Sequence, residues 1–214
     1  MKALFSIFLF SYFAYAGNEV KIGAKFFLHA GQKYLSLNFK NEALWHTNWK
    51  NPGDAGLTTE VNFQSDGNEI FLEDLEWPMP KHFIQNSDSI GYGYDGEYSL
   101  FYKLDDKLLG KKININLKWL SCKDICIPGK GEIRAFVNRE NLKIISGAEI
   151  EFDNKIILEH FSKIPTKKEW PSNLKISLIK IDETKLTLNY NNPWKTVDNR
   201  NVLFPFPAPP FGFR

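Results

Sequence analysis

Apolar and polar residues alternate with period two along most of this chain. Val20, Ile22, Ala24 and Phe26 stand against Lys21, Gly23 and Lys25. Leu35, Leu37 and Phe39 repeat the pattern between Tyr34 and Phe39, and Tyr98, Leu100, Tyr102 and Leu104 repeat it again. The cleanest run sets Ile113, Ile115, Leu117 and Trp119 against Lys112, Asn114, Asn116 and Lys118. Ile133, Ala135 and Val137 continue it, as do Ala148, Ile150 and Phe152. Period two puts one face of a strand in a core and the other in water. Between these runs lie turn formers: Asn51-Pro52-Gly53-Asp54, Ser65-Asp66-Gly67-Asn68 and Asp95-Gly96. Short alternating strands separated by such turns predict a mainly β protein built as an antiparallel β-sandwich. An aromatic content of 15 % suits a compact core, because each ring buries a large area.

One helix is predicted. Asp153 or Asn154 can cap a segment from Lys155 to Ser162, with Ile156, Ile157 and Phe161 apolar and Pro165 as a stop. The stretch from Pro165 to Asn173 reads as a linker. Beyond it, Leu174 to Ile181, Lys185 to Tyr190 and Asn201 to Phe206 are strand candidates, too few for a second full sandwich. They either pack on the first domain or open a second one. The final run from Phe204 to Phe211 carries four prolines and cannot donate a regular hydrogen-bond ladder.

The N-terminus changes the picture of where the protein acts. Lys2 precedes a nearly continuous apolar run from Ala3 to Phe13, and Ala14-Tyr15-Ala16 fits a small-x-small cleavage site. This is the pattern of a secretory signal peptide. The run falls short of the roughly 20 apolar residues a membrane helix needs. An uncleaved anchor is the alternative; no Cys follows that could carry a lipid. The charge is nearly balanced, 27 Lys+Arg against 25 Asp+Glu. No basic stripe offers the phosphate contacts that nucleic-acid binding requires, so no nucleic-acid partner is expected.

The candidate chemistry is a cysteine pair. Cys122 and Cys126 are the two cysteines of the chain, they survive cleavage, and three residues separate them. They follow the strand ending at Trp119-Leu120 and precede Ile127-Pro128-Gly129, which is expected to force a turn. In an oxidising compartment such a pair forms a disulfide at least part of the time. As a staple it is weak: closing five residues is worth about 2 kcal/mol, against nearly 5 for a loop of about 100 residues. A bond that loses little when opened suits redox exchange. Lys118, Lys123 and Lys130 would favour a thiolate nearby, and Asp124 would oppose it. An inert structural disulfide and a thiol metal site remain open. Zinc needs two more ligands, and the four histidines show no paired spacing.

The surrounding residues carry a resemblance. Trp119-Leu120-Ser121-Cys122-Lys123-Asp124-Ile125-Cys126-Ile127-Pro128-Gly129 resembles the active segment of the N-terminal periplasmic domain of the DsbD and ScsB family of thiol–disulfide interchange proteins. The stretch from His46 to Leu57, HTNWKNPGDAGL, is similar to a segment of the ScsB-like branch, as are Trp77-Pro78-Met79-Pro80 and Ile90-Gly91-Tyr92-Gly93-Tyr94. The matches fall in order across residues 20 to 145. The C-x-x-x-C spacing belongs to one branch of the family.

The resemblance implies an immunoglobulin-like sandwich, to which the residue pattern adds a short helix and a small C-terminal β extension. It implies that Cys122 and Cys126 are catalytic and cycle between dithiol and disulfide without a cofactor or a metal. It implies electrons arriving from a membrane-embedded thiol:disulfide reductase and leaving to periplasmic thioredoxin-like or disulfide-isomerase-like proteins, with the more exposed second cysteine attacking first. An aromatic-bearing loop caps the cysteines in such domains; by position it is residues 88 to 94, with Tyr92 or Tyr94 as the shielding ring. The other reading makes both tyrosines core. Trp119 is a further shielding candidate, and Lys123 and Asp124 are thiolate-tuning candidates. Larger relatives continue into a multi-helix membrane section, which is not seen in this sequence, so the donor is expected to be a separate protein, or the chain is a remnant with no donor. The expected organisation is a signal peptide at 1–16, the redox domain at 17–152, helix and linker at 153–173, a β extension at 174–206 and a Pro/Phe-rich tail at 207–214.

His46 beside Asp54 would suit a general base, although the Asn51-to-Asp54 run is better explained as a turn with Gly53 at positive φ. Trp45, Trp49 and Trp77 are expected as core and rim aromatics. No phosphate-binding Gly-rich loop and no G-x-S-x-G elbow is present. The main rival function is a non-catalytic sandwich that binds a protein while its disulfide stays inert. A third is a copper or metal chaperone that uses the thiols as soft ligands.

Overall fold

The computed structural model describes residues 19–54, 56–85, 89–139, 141–165, 176–181 and 186–190. The expected signal peptide, the strand at 201–206 and the tail at 207–214 lie outside these residues.

Apart from a C-terminal hairpin, the described strands form two packed antiparallel sheets. The smaller sheet has the order β1 (Val20–His29), β2 (Gln32–Asn41) and β8 (Glu97–Lys103). The larger runs β11 (Leu142–Ser146), β10 (Cys126–Val137), β9 (Lys112–Cys122), β3 (His46–Gly53), β7 (Ser89–Asp95) and β6 (Lys81–Gln85). A short hairpin of β4 (Glu60–Ser65) and β5 (Asn68–Ile70) also pairs on β9, next to β3 along the same edge. Its turn, Asp66-Gly67, holds φ of 52° and 78°, the left-handed pair that matches the twist of a two-residue hairpin. The architecture is the immunoglobulin-like antiparallel sandwich that the alternation and the resemblance anticipated.

The alternating residues make the core. Ile22, Leu35, Leu37, Phe39 and Leu100 of the small sheet meet Ile113, Ile115, Leu117, Ile133 and Val137 of the large one, all at most 2 % exposed. Burying side chains of this size is worth about 1.5–3 kcal/mol each.

The structure departs from the alternation on the far side of the small sheet. Ser36, Asn38 and Ser99, polar residues that period two assigns to water, are fully buried. The helix α1 (Asn154–Ser162) covers them. Ser36 and Ser99 both donate to Asn38 Oδ1, and Ser99 Oγ lies 2.9 Å from Nδ1 of His160 on the helix. Around this polar strip Phe27, Phe101, Phe152 and Ile157 form a second apolar cluster. Asp153 caps the helix by accepting from the Ile156 N–H, as its sequence position predicts.

The segment from Ala148 to Phe152 is extended but forms no strand, contrary to its alternation. The N–H groups of Glu149 and Ile150 both donate to Ile22 O. At Gly23 a Cβ would stand 2.0 Å from Ile150 O, and Lys25 of β1 reaches both Phe152 O and the Glu151 carboxylate, so the segment lies against β1 without forming a ladder with it. Two of the three C-terminal strand candidates form an antiparallel hairpin, β12 (Ile176–Ile181) with β13 (Leu186–Tyr190).

Candidate functional site: the disulfide hairpin

Strand β9 ends at Cys122 and β10 opens at Cys126, with Lys123-Asp124-Ile125 as the turn between them. The two cysteines are direct register partners, joined by a disulfide, with Cα atoms 4.1 Å apart. The Lys123 N–H donates to Ile125 O, which makes the next pair the hydrogen-bonded one and the cysteine pair the close, non-hydrogen-bonded one. The β9–β10 ladder therefore sets the two cysteines directly opposite one another by register.

The turn expected at Ile127-Pro128-Gly129 is absent; those residues belong to β10. Pro128 opposes Leu120, two positions along from the cysteine pair, so its nitrogen points away from β9. Strand β11 joins β10 only from Arg134. The missing N–H interrupts no ladder, and a proline is tolerated in the strand.

Alternation sends Ile113, Ile115 and Leu117 into the core and Cys122 to the opposite face of the sheet. Cys122 is nonetheless 1 % exposed, whereas Cys126 is open to solvent. The disulfide is thus asymmetric, joining one exposed cysteine to one buried cysteine.

On the other side of β9, His46 of β3 is the register partner of Cys122, and His46 is in turn opposed by Asp95 of β7. Cys126, Cys122, His46 and Asp95 form one row across four strands, with their side chains on one face. His46 is 6 % exposed, and its ring stacks on Phe83 of β6 with centroids 4.0 Å apart and planes 4° off parallel. Burial lowers the His46 pKa below its ordinary value of 6.5, and the nearby Asp95 carboxylate opposes part of that shift. Asp95 Oδ1 also pairs with Lys81 Nζ at 2.5 Å.

The expected shielding residues lie elsewhere. Tyr94 points into the core, 5 % exposed; its ring stacks on Tyr98 and its hydroxyl donates to Pro78 O. Tyr92, of the same parity, packs against the main core. The register thus sets both tyrosines on the face opposite Cys122, as in the core alternative. Trp119 is also on the core side of β9, where its ring takes the space that Gly129 leaves: a Cβ there would sit 2.3 Å from the indole. Lys123 and Asp124 are exposed at the hairpin tip. Lys118 pairs with Glu60, not with the cysteines.

Beside the tip lies a shallow apolar groove of about 620 Å³ lined by Trp45, Ile125 and Ile127, with Glu19, Lys123 and Asp124 at its rim. Ile125 is 66 % exposed.

The His46–Leu57 segment forms β3 and the loop that folds back over its end. Asn48 Nδ2 donates to Leu57 O, and Thr59 Oγ1 donates to Asn48 O. Asp54 is tied to β7 by its own N–H to Ile90 O and by its carboxylate accepting from the Ile90 N–H. Asp54 thus serves the loop, and Asp95, 49 residues from His46 in sequence, is the carboxylate opposite the histidine. Gly53 holds φ +88°, the positive value expected of it.

No family model matches the chain, and no curated protein does. Among solved structures, the N-terminal periplasmic domain of ScsB from Proteus mirabilis aligns at a TM-score of 0.60 and 18 % identity, covering 83 % of this chain and 66 % of that one. The chain has the ScsB N-terminal domain fold. The likeness bears out the sequence resemblance at the level of the fold; the ScsB-like chemistry must be argued from the site itself. The N-terminal domain of Neisseria meningitidis DsbD in its reduced form aligns at 11 % identity and a TM-score of 0.39, covering 60 % of this chain and 90 % of that one, too low a score to argue from.

Sequence reasoning found the cysteines but missed Phe83 and the relation of His46 to Cys122. His46 lies in a segment that already resembled the ScsB branch, so a signal existed for it. Phe83 carries none: only the pairing of β6 with β7 and of β7 with β3 brings it to the row.

Proposed function

We propose that this chain is an exported thiol–disulfide exchange relay working through Cys122 and Cys126. One observation carries the reading: a disulfide between register partners at a hairpin end, with one sulfur exposed and the other buried. The exposed Cys126 is the atom a partner can reach. The buried Cys122 stands next to it and resolves what Cys126 has formed.

In the reduced protein the Cys126 thiolate attacks a partner disulfide, forming a mixed disulfide and expelling one partner thiolate. Cys122 then attacks Cys126 Sγ; the intramolecular bond forms and the second partner sulfur leaves as thiolate. The pair loses two electrons and the partner gains two. A membrane-embedded thiol:disulfide reductase would restore the dithiol, and periplasmic thioredoxin-like or disulfide-isomerase-like proteins would receive the electrons. Export through residues 1–16 places the relay in the periplasm. Residues 17–152 carry it, with the helix and linker at 153–173 and the β extension at 174–206 following.

Within this reading the shielding ring is Phe83 rather than Tyr92, Tyr94 or Trp119, because it is the aromatic residue over the row that contains Cys122. The groove of Trp45, Ile125 and Ile127 is the surface a partner meets on approaching Cys126. Lys123 and Asp124 flank the attacking sulfur from the turn.

The test is trapping. Cys122→Ser leaves Cys126 to attack with no resolving thiol, and should accumulate a mixed disulfide on a non-reducing gel. Cys126→Ser should accumulate none. If neither variant traps a partner while the wild-type pair stays oxidised, the disulfide is inert and the binding-module reading stands.

A further inference from the structure

The row across the large sheet gives His46 a part that its sequence neighbours conceal. His46 is the direct cross-strand partner of Cys122, in a row that runs on to Asp95. Side chains of such partners stand on one face of the sheet with Cβ atoms about 4.5–5.5 Å apart, which makes the imidazole and the sulfur neighbours in the row. We propose that His46 is the base that takes the Cys122 proton when Cys122 resolves the mixed disulfide. The inference rests on the relay reading above.

Three observations support it. First, Cys122 is 1 % exposed, and an apolar burial disfavours its thiolate, so a buried resolving cysteine needs a proton acceptor that water cannot supply. Second, burial lowers the His46 pKa, so near neutral pH the ring is chiefly the neutral imidazole, which is a base. Third, Asp95 stands on the far side of His46 from Cys122 and favours the imidazolium once it forms. Phe83, stacked on the ring, holds its plane. Cys122 on β9 and Asp95 on β7 share the row with His46, and Lys81 on β6 pairs with Asp95.

The step balances. In the mixed disulfide, the Cys122 thiol gives its proton to His46. The Cys122 thiolate attacks Cys126 Sγ, the Cys122–Cys126 bond forms, and the bond from Cys126 to the partner sulfur breaks. The partner leaves as thiolate and is protonated from solvent. His46 then returns its proton to solvent. Two electrons pass from the cysteine pair to the partner.

The experiment uses the reduced full chain and an aromatic disulfide whose thiol is coloured when released. Attack by Cys126 releases one thiol at a rate proportional to reagent. Resolution by Cys122 releases the second at a rate independent of reagent. In the wild type the resolution rate should stay level from the alkaline side down to an inflection below the ordinary histidine value. His46→Gln should slow resolution about a hundredfold near neutral pH and move the inflection into the thiol range at or above about 8.5, while the first phase changes less than about twofold. Asp95→Asn should move the wild-type inflection to lower pH, and it decides the matter should His46→Gln fail to fold. An unchanged resolution profile in His46→Gln, or an unmoved inflection in Asp95→Asn, overturns the assignment. A wild-type first phase no faster than that of the unfolded chain overturns the relay reading itself, and this inference with it.

Discussion

Reducing the Cys122–Cys126 bond should leave the protein folded and only slightly less stable. The bond closes a five-residue loop at the end of a hairpin whose ladder runs from Cys126–Cys122 to Phe136–Lys112. Chain-entropy closure of a loop this short removes about 7 cal/mol/K from the unfolded ensemble, or about 2 kcal/mol at room temperature. It ties only the two strands of that hairpin, already paired by their own ladder, and the core residues Ile113, Ile115, Leu117 and Ile133 pack from the opposite face of the same strands. For a domain of this size, about 2 kcal/mol corresponds to a fall in Tm of about 4–8 °C. By linkage it also sets the folded pair only about 40 mV more reducing than the same two thiols in the unfolded chain. Urea unfolding of the oxidised and the dithiothreitol-reduced protein measures the difference, and a glutathione titration measures the potential shift. Loss of the fold on reduction, or a difference of about 5 kcal/mol as for a long-loop staple, would refute this account and return the disulfide to a structural role.

Other outcomes follow from the packing and from two histidines, one buried and one half-buried. A chain ending at residue 152 should be markedly less stable than one ending at 165, because it uncovers Phe27, Phe101 and the Ser36–Asn38–Ser99 strip; Ile157→Ala alone should lower stability by about 2–5 kcal/mol in urea titrations. Gly129→Val should lower stability by about 1–3 kcal/mol by displacing the Trp119 ring, read from the same titrations. His46 and His160 both have lowered pKa values, in each case chiefly through burial, so below their ordinary 6.5 the unfolded chain binds more protons than the folded one. Stability should accordingly be full above that value and fall as the pH drops through it, with a smaller fall in His160→Gln. Ile125→Ser should leave stability unchanged within about 0.5 kcal/mol yet slow exchange with protein disulfides more than with a small aromatic disulfide.

The strands were legible because period two is a local signal: each of the runs at Val20, Tyr34, Tyr98, Ile113 and Ile133 buries its alternating apolar residues in one core. The helix was legible too, through its cap and its apolar spacing. Where the reading failed, a second layer had intervened. Ser36, Asn38 and Ser99 look solvent-facing until α1 is laid over them, and Ala148 to Phe152 alternates without a ladder because two of its N–H groups share Ile22 O and its far end is held by the Lys25 side chain. Pro128 reads as a turn in sequence, but sits in a strand because the edge beside it has no partner there.

For the site, the chain order alone placed two sulfurs in one short segment, since a strand end followed three residues later by a second cysteine needs no distant contact to bring them together. What it could not convey was the asymmetry of the pair or the identity of its neighbours. Those depend on which strand lies on the far side of β9 and in what register. A shift of one residue would have turned His46 away from Cys122 and brought Thr47 to it. Pairing across long sequence separations is fixed by burial on the opposite face of the sheet, so only the folded protein decides that a histidine and a carboxylate stand in line with the sulfurs.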